Sequence, residues 1–130
     1  MKICAIISEF NPFHNGHKYL VDKATDLGYT HKIAIMSGNF VQRGEPAIIS
    51  KSARTQAALK NGINLVIEIP SVWAISTSER YARAGVTIAD SLGCVESLVF
   101  GSESGNLESL REIAGVLDTL DFSNFLKNAL

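Results

Sequence analysis

The sequence is poor in cysteine, has no long apolar run and carries no excess of either charge. Its two cysteines, Cys4 and Cys94, fall in separate regions with no metal-like spacing, so a reduced, cytoplasmic setting is the expectation. Twelve Lys and Arg against thirteen Asp and Glu give a net charge of −1. No global basic field therefore draws in nucleic acid or a membrane surface, although a local patch or another domain can still bind RNA. The first apolar run stops at Ser8-Glu9, too short for a membrane span, and no small-residue cleavage pattern follows it. No membrane partner is expected. The chain shows no internal self-similarity, which excludes a repeat array. Its 130 residues are enough for one core and not for two.

What is present is a rhythm. Short apolar runs occupy Ile3–Ile7, residues 33–36, Leu65–Ile69 and residues 97–100, with starts about thirty residues apart, the length of one βα unit. Continuous rather than alternating, they read as strands buried on both faces of a parallel sheet. Between them lie helical patterns. Leu20, Ala24 and Leu27 precede Gly28 as a C-terminal cap; an Ala-rich segment opens at Ser50 and stops at Asn61-Gly62. A third opens with a capping-box pattern, Ser76-x-x-Glu79, carries Tyr81, Ala84, Ile88 and Leu92 on one face and ends at Gly93. Leu107, Leu110, Ala114 and Leu117 mark a fourth, and Phe122, Phe125, Leu126 and Leu130 a last. The fold class this predicts is α/β, a Rossmann-like doubly wound parallel sheet with helices on both faces. Residues 1–105 are expected to form one α/β domain, the one that carries the ligand edge described next, and residues 106–130 a helical segment expected to begin a region beyond this chain.

The most informative stretch is Ser8-Glu9-Phe10-Asn11-Pro12-Phe13-His14-Asn15-Gly16-His17, where the first strand hands over to a helix. In doubly wound folds ligands gather at that carboxyl edge. A helix starting near Asn15 or Gly16 aims free N–H groups and its positive end there, which suits a phosphate. Imidazoles at His14 and His17 add donors that are neutral or cationic near neutral pH. As a metal pair they would need further ligands. Only Glu9 is close, since Cys4 lies at the far end of its strand, and no metal site is expected. Gly101 follows the last strand, where a backbone can approach a flat ligand. Arg43 is a candidate cation for a phosphate or carboxylate.

With His14-x-Gly16-His17 in this setting, the chain resembles the nucleotidylyltransferase superfamily. Three blocks in order, residues 9–17, 36–47 and 100–105, narrow the resemblance to the tRNA(Met) cytidine acetate ligase family. That resemblance implies ATP-dependent activation of acetate to acetyl-adenylate, then transfer to N4 of the wobble cytidine of elongator tRNA(Met). It implies His14 and His17 as catalytic residues. It further implies ATP contacts from Ile7, Ser8, Glu9, Phe10, Asn11, Pro12, Phe13, His14, Asn15, Gly16, His17, Lys18, Tyr19 and Leu20, with Gly101. Mg2+ is expected with the triphosphate, and tRNA contacts in regions largely absent here. The role of Glu9 stays open between holding a metal and ordering the loop. Ala5 departs from the glycine frequent in the family. Ile75-Ser76-Thr77-Ser78-Glu79-Arg80 imitates the superfamily's second phosphate motif but follows the wrong strand, so it reads as a helix cap. Two other readings share the motif: a small-molecule adenylyl- or cytidylyltransferase, and a non-catalytic nucleotide-binding module.

Overall fold

A computed structural model describes residues 1–129; Leu130 and the side chains of Phe125 and Leu126, assigned above to an apolar face, lie outside the described residues. By its internal contacts the chain forms two compact units, Met1–Phe100 and Gly101–Leu130.

The first unit carries a four-stranded parallel sheet of order β3-β2-β1-β4, built from β1 (Ile3–Ile7), β2 (His31–Ser37), β3 (Leu65–Ile69) and β4 (Ser97–Leu98). Chain order reverses beside β1, which makes its carboxyl end the topological switch point. Helices α1 (Asn15–Asp26) and α2 (Lys51–Lys60) are joined in this unit by the short α3 (Ser71–Ala74) and by α4 (Ser78–Ser91). Two cores result. Ile3, Ala5, Ile33, Ile35 and Ile69 pack with Ala74 and Ala89; Ile6, Ala34 and Met36 pack with Val21, Ala58, Ile63 and Phe10. Odd and even strand positions thus serve opposite faces, and a fully buried Ile contributes about 1.5–3 kcal/mol.

Burial on both faces holds for β1 and β2 but not for the outer strands. Leu65 and Glu68 of β3 are exposed, with Glu68 paired to Lys51 at 2.8 Å. Strand β4 is two residues long, not four, and pairs only Ser97 and Leu98 with Cys4 and Ala5. An edge strand has a neighbour on one side alone, and its apolar run is no guide to how far helices cover it. Helix α4 lies close enough to β1 that a Cβ at Gly85 would meet Ile7 Cδ1 at 2.7 Å, so the bare backbone permits that packing.

Helix ends follow the expected punctuation with one correction. Gly28, at φ +87°, closes α1: its N–H donates to Thr25 O (2.9 Å) and that of Tyr29 to Ala24 O (3.1 Å). Ser50 caps α2 by accepting the Ala53 N–H at 3.3 Å. The predicted Ser76–Glu79 capping box does not form. Thr77 is the N-cap of α4, Ser76 Oγ instead donates to Trp73 O (2.6 Å), and Glu79 turns to Arg83. The unforeseen α3 turn takes Ser76 for its own closure.

In the second unit, α5 (Leu107–Leu117) is capped by Asn106, whose Oδ1 accepts the N–H groups of Glu108 and Ser109. Leu107, Ile113, Val116 and Leu117 on α5 are exposed. Helix α6 (Leu120–Ala129) follows. No helix among the described residues is long and apolar enough to cross a membrane.

Candidate nucleotide site

At the carboxyl end of β1 the chain leaves the sheet through Ser8, whose N–H still donates to Ile35 O at 3.1 Å. Phe10 then takes a left-handed conformation, φ +46°, while its ring is buried. For a bulky residue this costs on the order of 1–3 kcal/mol and persists only where the surroundings hold it. They do: the ring sits 5.1 Å from that of Phe13 and meets His17 edge-on at 4.9 Å.

The two histidines cap α1 reciprocally. His14 is the N-cap, and its Nδ1 accepts the Gly16 N–H at 3.1 Å; His17 reaches back so that its Nδ1 accepts the His14 N–H at 3.3 Å. Serine and glutamate usually share this task. A Cβ at Gly16 would lie 3.0 Å from His14 Cε1, so glycine leaves the ring its place over the helix start. Because both Nδ1 atoms accept backbone hydrogens, the neutral rings carry their protons on Nε2. The His17 Nε2–H points to Ser8 Oγ at 3.2 Å. The rings stack at 3.7 Å and 23°. Burial, and secondarily the neighbouring His14 ring, hold the His17 pKa below its ordinary value, so its neutral form is favoured.

Around this pair lies an open cavity of about 330 Å³ lined by Ser8, Glu9, Phe10, Asn11, Pro12, His14 and His17. Six of these precede the helix or cap it, and His17 completes the cap. The other expected contacts are placed differently. Ile7 packs into one core, Phe13 and Leu20 into the other; Asn15 and Gly16 begin the helix. Lys18 pairs with Asp22, and Tyr19 is exposed with Lys23 Nζ 5.5 Å from its ring centre. Gly101 opens the second unit. The Gly16 N–H, expected to face a ligand, is engaged by the His14 ring. Arg43, at φ +80°, forms the exposed tip of a small hairpin closed by the Phe40–Pro46 bridge.

Glu9 orders that loop: its Oε1 accepts the Gln42 N–H at 2.6 Å, and Asn11 Oδ1 accepts the Ile48 N–H at 2.8 Å. Sequence reasoning missed Arg54, whose guanidinium is fully buried beneath this turn. Only its place on α2 shows in the sequence, not what it binds. Arg54 stands four residues before Ala58, on the face of α2 that meets the sheet. Among the described residues no group of three His, Cys, Asp or Glu is arranged to hold a metal ion.

The geometry has close counterparts. The chain is 55% identical over 120 residues to the tRNA(Met) cytidine acetate ligase of Thermoanaerobacter sp. (strain X514), covering 90% of this chain and 29% of that protein. It is 47% identical over 130 residues to the ligase of the same name from Halothermothrix orenii, covering 98% and 31%. The chain thus spans less than a third of either relative's length. The crystal structure of Thermotoga maritima TmcAL bound with alpha-thio ATP superposes with a TM-score of 0.85 at 45% identity, over 90% of this chain and 29% of that one. The apo form of the same protein gives 0.83. A family model described as HIGH Nucleotidyl Transferase matches residues 1–130, the strand, histidine cap and following elements together, and the chain belongs to that family.

Proposed function

We propose that this chain is the ATP-binding part of a tRNA(Met) cytidine acetate ligase. The observation that carries the reading is the reciprocal histidine cap, because it fixes two imidazoles at the positive end of α1 beside an open cavity. Similarity to ligases of that name, and to a structure holding an ATP analogue, supports the choice among nucleotidyl transferases.

In the proposed reaction an acetate oxygen attacks the α-phosphorus of ATP, and the bond to the bridging oxygen breaks with its electron pair leaving on pyrophosphate. The N4 amine of the wobble cytidine in elongator tRNA(Met) then attacks the acetyl carbon, AMP departs and N4 gives up a proton. Charge grows on the phosphoryl oxygens in the first step. The exposed His14, His17 and the start of α1 answer it by fixed hydrogen-bond donors rather than by covalent chemistry. The Ser8 hydroxyl keeps His17 in register until phosphate oxygens compete for its Nε2–H. Mg2+ would shield the pyrophosphate, its ligands being phosphate oxygens and water, the usual habit of this ion. Glu9, engaged by the hairpin, orders the loop.

The test is acetate-dependent exchange of pyrophosphate into ATP by a protein with the full length of the relatives. Exchange that requires acetate and disappears in His17→Ala is expected. Exchange that ignores acetate and requires a phosphorylated acceptor would instead assign a small-molecule nucleotidyltransferase.

A further inference from the structure

Arg54 is fully exposed to nothing but protein. A buried guanidinium is costly unless its donors are met. Here four of its five are met by main-chain carbonyls: Nη1 donates to Glu9 O (2.7 Å) and Ser37 O (3.1 Å), Nη2 to Gly38 O, and Nε to Ile49 O (3.2 Å). Those carbonyls belong to the turn after β1, the end of β2 and the stretch before α2. A planar fork can serve acceptors spread around it; a lysine ammonium, with three donors on one atom, cannot serve all four. Two more bonds tie the same pieces, from Gln42 N–H to the Glu9 carboxylate and from Ile48 N–H to Asn11. Glu9 and Asn11 are therefore both anchored, and Phe10 lies between them in its left-handed conformation with its ring against His17. Arg54 does not line the cavity.

We infer that Arg54 is a positioning residue for the nucleotide site, holding the Glu9–Phe10 backbone so that Phe10 keeps His17 stacked on His14 and seated on the His14 N–H. The inference rests on reading this cavity as the triphosphate site, yet its consequence for His17 can be measured without ATP. Loosening the clamp lets Phe10 shift and admits water to the His17 ring, which relieves the burial that lowers its pKa.

The experiment compares the whole chain with Arg54→Lys, Arg54→Gln and the control Ala89→Gly, a buried position on α4 in the other core. Imidazole proton resonances are followed against pH, and ATP with Mg2+ is titrated calorimetrically. Both Arg54 variants are expected to raise the His17 titration midpoint and weaken ATP about tenfold, the scale of losing one well-placed charge-assisted bond. Arg54→Lys should be the milder, and Ala89→Gly should lower the melting temperature with the His17 midpoint unmoved. A wild-type midpoint in folded Arg54→Lys overturns the proposal, as does an equal shift in Ala89→Gly. Failure of both Arg54 variants to fold overturns it too, in favour of a fold-wide role. If the wild-type chain binds no ATP, the reading of the cavity fails, while the midpoints still decide the role of Arg54.

Discussion

Helix α1 follows β1 and is capped by His14; helix α4 follows β3, after the α3 turn, and is capped by Thr77. Both starts offer a side-chain acceptor to a backbone N–H. They differ in what remains. At α4 the hydroxyls hold partners within the chain: Thr77 Oγ1 accepts the Arg80 N–H, Ser76 Oγ donates to Trp73 O, and Ser78 Oγ accepts from Gln42 Nε2 at 2.5 Å. Glu79 stands in the first turn and answers the helix dipole from within the chain. In the first turn of α1 there is no acidic residue, and its caps are imidazoles, which accept on Nδ1 and still carry a proton on Nε2. A helix start is thus a structural joint when its own acid and hydroxyls close it. On the proposed reading the start of α1 takes an anion because its imidazole caps keep a donor on the far side of the ring and its positive end has no acid of its own.

The sharpest way to break this comparison is to separate capping from ligand contact at His14. Serine is a good N-cap but has no distal donor. His14→Ser should therefore keep thermal stability close to that of the wild type while weakening ATP about tenfold or more, the range for a hydrogen bond to a charged group. Calorimetric titration and a melting curve on the same sample would check it. Unchanged affinity would mean that His14 serves the helix alone. The mirror experiment at α4 is smaller in effect. Thr77→Ala should cost about 1 kcal/mol of unfolding free energy in urea, the usual worth of a cap, and leave ATP affinity as it was. A loss of affinity there would show that the second helix start also serves the ligand.

These two helix starts also mark what a sequence discloses. His14-x-Gly16-His17 was legible as a strand-to-helix junction because apolar run, turn residues and helical spacing are all local; that the two rings cap α1 reciprocally was not. Ile3–Ile7 and the Ile-rich centre of β2 were legible because burial on both faces leaves no polar positions. Thr77, rather than Ser76, was not legible as the cap, since a four-residue turn ahead of α4 claims Ser76 and leaves no periodic signal. Arg54 was hidden for a different reason. In sequence an arginine within Lys51–Lys60 looks like a solvated residue, and its role emerges only when three separate segments bring their carbonyls to one point. Contacts local in sequence can be read; convergence of distant backbone cannot.

The smallest effect distinguishes the two starts by pH. His17 has its pKa lowered by burial and by His14, so the folded state resists protonation more than the unfolded chain does. Above about 6.5, the ordinary value for histidine, the ring is neutral in both states and its contribution to stability is complete. As pH falls below that point the unfolded chain binds a proton first, and stability declines until the folded ring also titrates. Urea unfolding between pH 8 and pH 5 should show this slope, and His17→Gln should flatten it. Thr77 has no ionisable group, so the deficit of Thr77→Ala should be the same at both ends of the range. A phosphate ligand acts in the opposite sense, since its charge favours the imidazolium. ATP binding near pH 6 should therefore take up protons, seen as a dependence of the binding heat on the buffer, and that uptake should vanish in His17→Gln. Uptake that survives the substitution would move the titrating group away from the histidine cap.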